Sequence, residues 1–262
     1  MSGFFAPNAN ATVTTINLTS PNGGEEWRGV QNITWNGVSS NLTDTVDITY
    51  SSDGTNFTTT IGTGILFSNG TFPWNTGLFV ESSTSRVRIA PSSFPILDDS
   101  ATVFTVDNTD PVTTLTIDPI DGLNGWYITV PAMSLLCADT GGTGCNKTYY
   151  RWDGGAWVDN SVTPVTAMEG SHLLEYYSDD QAVDALGDHN EEAIQSLTVK
   201  VDTTDPGVVL SSPTVDPTNG LIAVTAEFDE DVTGFINTDV TVVNGTVESF
   251  VAVDGNTYTF DV

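Results

Sequence analysis

Positive charge is nearly absent from this chain. Its 262 residues include 6 lysines and arginines against 34 aspartates and glutamates, a formal net charge of −28. A surface of that sign repels phosphate backbones and anionic headgroups, which argues against nucleic acid and membrane surfaces as partners. Histidine is equally scarce: His172 and His189 stand alone, with no Gly-X-Ser-X-Gly elbow, cysteine nucleophile pattern or phosphate-cradling loop. Adjacent carboxylates such as Glu25 and Glu26 point apart on a strand or turn and do not flank one sugar. The expectation is therefore no enzyme and no cofactor. No apolar run approaches the length of a membrane span, and residues 1–7 lack the basic and apolar regions of a signal peptide. This segment is expected not to insert in a membrane, and any export signal to lie outside it or to have been removed.

Stretches of helical period are missing too. What stands in their place is short alternating apolar runs separated by Gly, Pro, Asn, Asp, Ser and Thr, the punctuation of an all-β chain. Strands are expected at 12–19, 31–35, 46–50, 58–61, 70–74, 85–89 and 101–106, with a turn over 20–27. Seven short strands in about ninety residues suit an immunoglobulin-like sandwich.

Cysteine is limited to Cys137 and Cys145, which bracket a glycine-rich loop over 138–144. A local disulfide is expected there, worth about 2.5 kcal/mol through the unfolded chain it constrains, and it implies an oxidising compartment. Without a nearby histidine pair the two thiols do not complete a zinc site.

One phrase occurs twice. Val106-Asp107-Asn108-Thr109-Asp110-Pro111 returns as Val201-Asp202-Thr203-Thr204-Asp205-Pro206, an interval of about one sandwich domain. The chain therefore divides into a lead or donor strand over 1–12, a module over 13–107, a second over 108–202 and a shorter third over 203–262. The fold expected is three tandem immunoglobulin-like β-sandwiches, the third incomplete.

Particular residues extend this. Ser20-Pro21-Asn22-Gly23-Gly24-Glu25-Glu26-Trp27, followed by Ile33-Thr34-Trp35 and by Arg86-Val87-Arg88-Ile89 and Phe104-Thr105-Val106, resembles the immunoglobulin-like module of Ser/Thr-rich cell-wall proteins. The hairpin Tyr149-Tyr150-Arg151-Trp152-Asp153-Gly154-Gly155 resembles repeats of microbial outer-surface proteins. Ala223 to Phe235 with Asp239 to Val247 resembles a common bacterial immunoglobulin-like repeat. These resemblances imply an extracellular, non-catalytic protein at the cell surface of a bacterium or archaeon. The third resemblance also implies closing strands beyond those present. Either the chain belongs to a longer array, or another copy donates a strand, with 4–18 as the candidate donor.

Calcium is the one ion the pattern invites. The two joints offer Asp107, Asn108 and Asp110, and Asp202 and Asp205, and hard cations take carboxylate and carbonyl oxygens. The alternative is turn chemistry, with aspartate capping its own backbone ahead of proline. Two further acidic runs, 179–192 and 229–231, read as solvated loops, the first near enough to lend oxygens to the second joint. Sequons for N-glycosylation occur at Asn10, Asn17, Asn32, Asn41, Asn56, Asn69, Asn146 and Asn244. Core packing is the default for the aromatic rings; Tyr150 and Trp152 share one face of their strand, opposite Tyr149 and Arg151, so one of these pairs is the more exposed, and Tyr150 and Trp152 are the candidate glycan platform.

The function expected from the sequence is structural: a spacer or subunit of a surface layer or filament, its partners other copies of itself or further immunoglobulin-like repeats. The alternative is an adhesin or carbohydrate-binding protein contacting surface glycans.

Overall fold

Alternation of side chains in the first ninety residues produces two facing sheets. The computed structural model describes residues 13–92, 95–215 and 220–262. In the first part of the chain run β1 (Val13–Ser20), β2 (Glu26–Trp27), β3 (Val30–Ser39), β4 (Thr45–Ser51), β5 (Thr59–Leu66), β6 (Thr71–Asn75), β7 (Ser82–Pro91), β8 (Asp98–Asp99) and β9 (Phe104–Val106). Strands β1, β3 and β6 form one sheet, and β9, β7, β4 and β5 lie in the other, antiparallel throughout, with β8 on β7. Leu18, Ile33, Trp35 and Trp74 from the first sheet meet Val46, Ile48, Tyr50, Val87, Ile89, Phe104 and Val106 from the second in one buried cluster. Each is the inward member of its strand's alternating pattern, and burying such a side chain contributes about 1.5–3 kcal/mol. Trp35 is buried and its indole N–H donates to the Phe67 carbonyl at 2.9 Å.

The second stretch contributes β10 (Val112–Ile117), β11 (Met133–Ala138), β12 (Cys145–Trp152), β13 (Val158–Asp159), β14 (Gly170–Val183), β15 (His189–Glu191) and β16 (Gln195–Val201). The β10–β11 hairpin faces a sheet of β13, β12, β14 and β16 over its own cluster of Leu135, Tyr150, Val165, Leu174 and Tyr176. Asp153 and Gly154 take positive φ (52° and 69°) in the Asp-Gly-Gly turn that follows β12. That left-handed conformation is one aspartate tolerates and glycine prefers.

The turn expected over 20–27 holds a strand. Residues Glu26 and Trp27 run parallel to β9 on one side and, at Trp27 opposite Val183, parallel to β14 on the other. A single eleven-stranded sheet therefore passes from the first hydrophobic cluster to the second. The joint near Asp110 is crossed by backbone pairing, while the apolar clusters on its two sides remain distinct. Residues through Val201 form one compact unit, and 202–262 form another.

The second unit contains β17 (Val208–Ser211), β18 (Ala223–Phe228), β19 (Glu248–Ala252) and β20 (Thr257–Asp261) in the order β17-β18-β20-β19. One face buries Ala226, Tyr258 and Phe260 under Val232, Phe235, Val240 and Val247. Among the described residues the remaining secondary structure is three single 3-10 turns.

Two expectations change here. Residues 13–18 of the candidate donor strand are already part of β1, with Leu18 opposite Trp35, so that stretch is committed to its own sandwich; residues 4–12 lie outside the described residues. The acidic stretch read as a solvated loop begins inside β14, where Asp179 and Asp180 are buried.

Candidate metal centre

Three carboxylates from distant parts of the chain converge at the first joint. Asp107 follows β9, Asp139 opens the loop after β11, and Asp180 sits in β14. One oxygen from each lies within 4.8 Å of the others. Asp107 and Asp180 have no solvent exposure, and Asp139 is half-buried.

The disulfide supplies the geometry. Cys137 and Cys145 are joined as expected, and the loop they close wraps over Asp107. Thr143 donates to Asp107 Oδ2 from its amide at 3.0 Å and from its hydroxyl at 2.7 Å. Asp139 fixes the same loop by accepting from the amides of Gly141 at 3.0 Å and Gly144 at 2.7 Å. The approach leaves no room for a side chain at Gly141, where a Cβ would lie 1.8 Å from Asp107 Oδ1. From the other side, Asn190 spans the joint. Its side-chain amide donates to Asp180 Oδ2 at 2.7 Å and to the Asp107 carbonyl at 3.1 Å.

Further bonds seal the same seam. The Arg28 amide donates to the Val183 carbonyl and the Ala185 amide to the Val30 carbonyl, both at 3.1 Å. The Arg28 guanidinium donates to the carbonyls of Asp188 and His189, and the Gln31 side chain to that of Val183.

Electrostatically the cluster is one-sided. Among the described residues no ion pair involves any of the three aspartates. Burial, opposed by the Asn190 hydrogen bond and reinforced by the charges of Asp107 and Asp139, pushes the Asp180 carboxyl up to about 6. Such a cluster is neutralised by a proton or by a cation. Calcium–oxygen distances of about 2.3–2.6 Å place ligand oxygens at most about 5 Å apart, which the 4.8 Å spread satisfies. Three hard carboxylate oxygens are the donor type that calcium takes.

The residues expected at the joints separate. Asp107 joins the cluster, but Asn108 turns away, its side-chain oxygen accepting from the Gly29 amide at 2.8 Å and the Thr76 hydroxyl at 3.0 Å. Asp110 is exposed. At the second joint Asp202 accepts from the Thr204 amide at 3.3 Å, a turn bond, and Asp205 is exposed. Among the described residues neither enters a group of three metal-binding side chains. Asp180, from the run expected to serve the second joint, serves the first.

Tyr150 is buried in the second cluster and Trp152 packs against it, so this pair builds core. The opposite face of the same strand carries Tyr149, stacked on Tyr177 with centroids 5.1 Å apart. Of the sequon asparagines, Asn17, Asn32, Asn56, Asn69, Asn146 and Asn244 are exposed and Asn41 is half-buried; Asn10 lies outside the described residues.

Residues 202–261 match a family described as bacterial Ig-like domain. The match contains the stretch whose residues resemble that repeat. No curated protein sequence matches the chain. Solved structures similar to it include fibronectin(III)-like modules of CbhA from Clostridium thermocellum, at 16% identity and a TM-score of 0.36 over 71% of this chain and 94% of that one. A marsupial T cell receptor aligns at 10% identity and a TM-score of 0.39, over 94% of this chain and 92% of the receptor chain. Among the described residues no helix is long and apolar enough to cross a membrane.

Proposed function

We propose that this chain is a non-enzymatic structural segment of an extracellular bacterial or archaeal surface protein, a stiff spacer or a subunit of a surface layer or filament. The observation that carries the reading is the sheet running through the first joint at β2, reinforced by hydrogen bonds to backbone carbonyls on both sides. A flexible linker transmits no orientation, whereas a joint paired through its backbone holds two sandwiches at a fixed angle. The Ig-like match at 202–261 supports a surface location. Strand donation by 13–18 is left out of this reading, because those residues already pair within their own module.

Calcium at Asp107, Asp139 and Asp180 belongs to the same proposal, as the cation that locks the joint. Calorimetric titration of the chelator-treated chain with calcium tests it: a saturable heat and a raised melting temperature are expected, both lost in Asp180→Asn. No heat and no thermal shift would remove the ion.

Stiffness is tested by spin labels at Thr60→Cys and Ser161→Cys, on either side of the joint. A single narrow distance distribution is expected, and a broad one contradicts the spacer. Labelling of intact cells with an impermeant reagent tests location, and protein protected until lysis would refute a surface role.

A further inference from the structure

Outside the joint, the solvent face of the second sandwich carries a small cleft that no part of the structural role uses. Its lining is Trp157, Tyr177, Glu191, Glu192 and Ile194, enclosing about 180 Å³. Tyr177 projects from β14 with Tyr149 stacked behind it. Trp157 stands almost perpendicular to Tyr177, at 85° with centroids 4.8 Å apart, so the two rings make a corner and not a flat platform. Glu191, opposite Asp179 in the β14–β15 pairing, is exposed at the rim, and among the described residues its carboxylate accepts no hydrogen bond. Glu192 lies deeper, with its carboxylate held by the Thr113 and Ser178 amides and the Gln195 side chain.

We propose that this corner binds an alkylammonium group, of the quaternary or methylated-amine class, carried by a small molecule. Aromatic faces present negative potential to a cation, and a carboxylate beside them adds a full charge without demanding a directed hydrogen bond. Trp157 already shows this preference, since the Arg151 guanidinium sits 4.3 Å from its ring centroid. That arginine is neutralised by Glu175 at 2.8 Å, so it leaves the field of Glu191 and Glu192 in place. The net charge of −28 attracts cations over longer range. A pyranose ring stacks on a broad open face, which the perpendicular pair does not offer, and the cleft is smaller than the usual ligand pocket of about 300–1,000 Å³. A compact, non-directional cation fits what remains.

The inference goes beyond the structural role, and its test is independent of it. The full chain, labelled for residue-resolved NMR and held in chelator, is titrated with tetramethylammonium chloride and with choline chloride, against sodium chloride at equal ionic strength and against a neutral oligosaccharide. Saturable shifts at the Trp157 indole and the Tyr177 ring, in the ammonium arms alone, are the expected result. Glu191→Gln, at an exposed site that leaves the fold intact, should weaken the apparent affinity about tenfold; Trp157→Ala should abolish binding. Shifts matched by sodium, an affinity unchanged in Glu191→Gln, or movement of these resonances by the oligosaccharide in place of the ammonium would each overturn the proposal.

Discussion

Replacing Asn190 by alanine probes the sealed joint at its narrowest point. Asn190 is 2% exposed, and its side-chain amide is shared between the Asp180 carboxylate at 2.7 Å and the Asp107 carbonyl at 3.1 Å. A hydrogen bond to a charged acceptor contributes about 1.5–3 kcal/mol and a neutral one about 0.5–1.5 kcal/mol, and neither acceptor gains water when the amide is removed from a buried site. The expected loss is about 3 kcal/mol, read by urea denaturation in chelator on the transition of the first unit. Hydrogen exchange gives the location. If the joint couples the two sandwiches, the amides of 26–31 and 178–190 lose protection together. A loss below about 1 kcal/mol, the size of an ordinary exposed change, or deprotection confined to 178–190, would show that the shared sheet is not a mechanical coupling and would refute the reasoning.

Acidity acts on the same site with an unusual sign. The folded chain holds the Asp180 proton to about pH 6 whereas the unfolded chain releases it near 3.8, so in calcium-free buffer the Asp180 contribution is full below about pH 4 and is lost as pH rises to 6, by about 3 kcal/mol, while carboxylates held below their usual range by hydrogen bonds, such as Asp153 and Asp184, act with the opposite sign. Asp180→Asn should flatten that part of the melting-temperature profile, and a parallel profile in the variant would contradict the assignment. Reducing the Cys137–Cys145 bridge, or Cys137→Ser with Cys145→Ser, should cost about 2.5 kcal/mol in thermal melts and weaken calcium binding, because the loop carrying Asp139 is released; unaltered calcium affinity would separate the loop from the site. Gly141→Ala drives a methyl into Asp107 Oδ1 and should destabilise by about 1–3 kcal/mol, with wild-type stability by urea titration showing that the loop relaxes freely.

Much of the fold was open to reading because its cause is local. Side chains alternate on a strand with a period of two, so Val46-Asp47-Ile48-Thr49-Tyr50 already states which residues face inward, and Val46, Ile48 and Tyr50 do lie in the core. The same logic left Tyr150 and Trp152 as one face and Tyr149 and Arg151 as the other without deciding which was wet. That choice depends on where the β10–β11 hairpin lies, and it lies over Tyr150. Strand β2 was concealed for a related reason: two residues after Pro21 and two glycines carry no alternation to detect, and their pairing is with strands about eighty and more than one hundred and fifty residues away.

Composition, spacing and short-range periodicity already specify an all-β chain rich in acidic residues, a closed Cys137–Cys145 loop and an Ig-like segment over 202–261. Tertiary structure alone decided which carboxylates meet. Asp107, Asn108 and Asp110 are neighbours in the chain, yet only Asp107 enters the cluster, because successive residues leaving a strand point to different sides. Its true companions, Asp139 and Asp180, arrive from a disulfide loop and a distant strand. Whether an aspartate is a turn cap in water or a buried member of a carboxylate cluster is set by what packs over it, and here that is fixed by pairing across the joint.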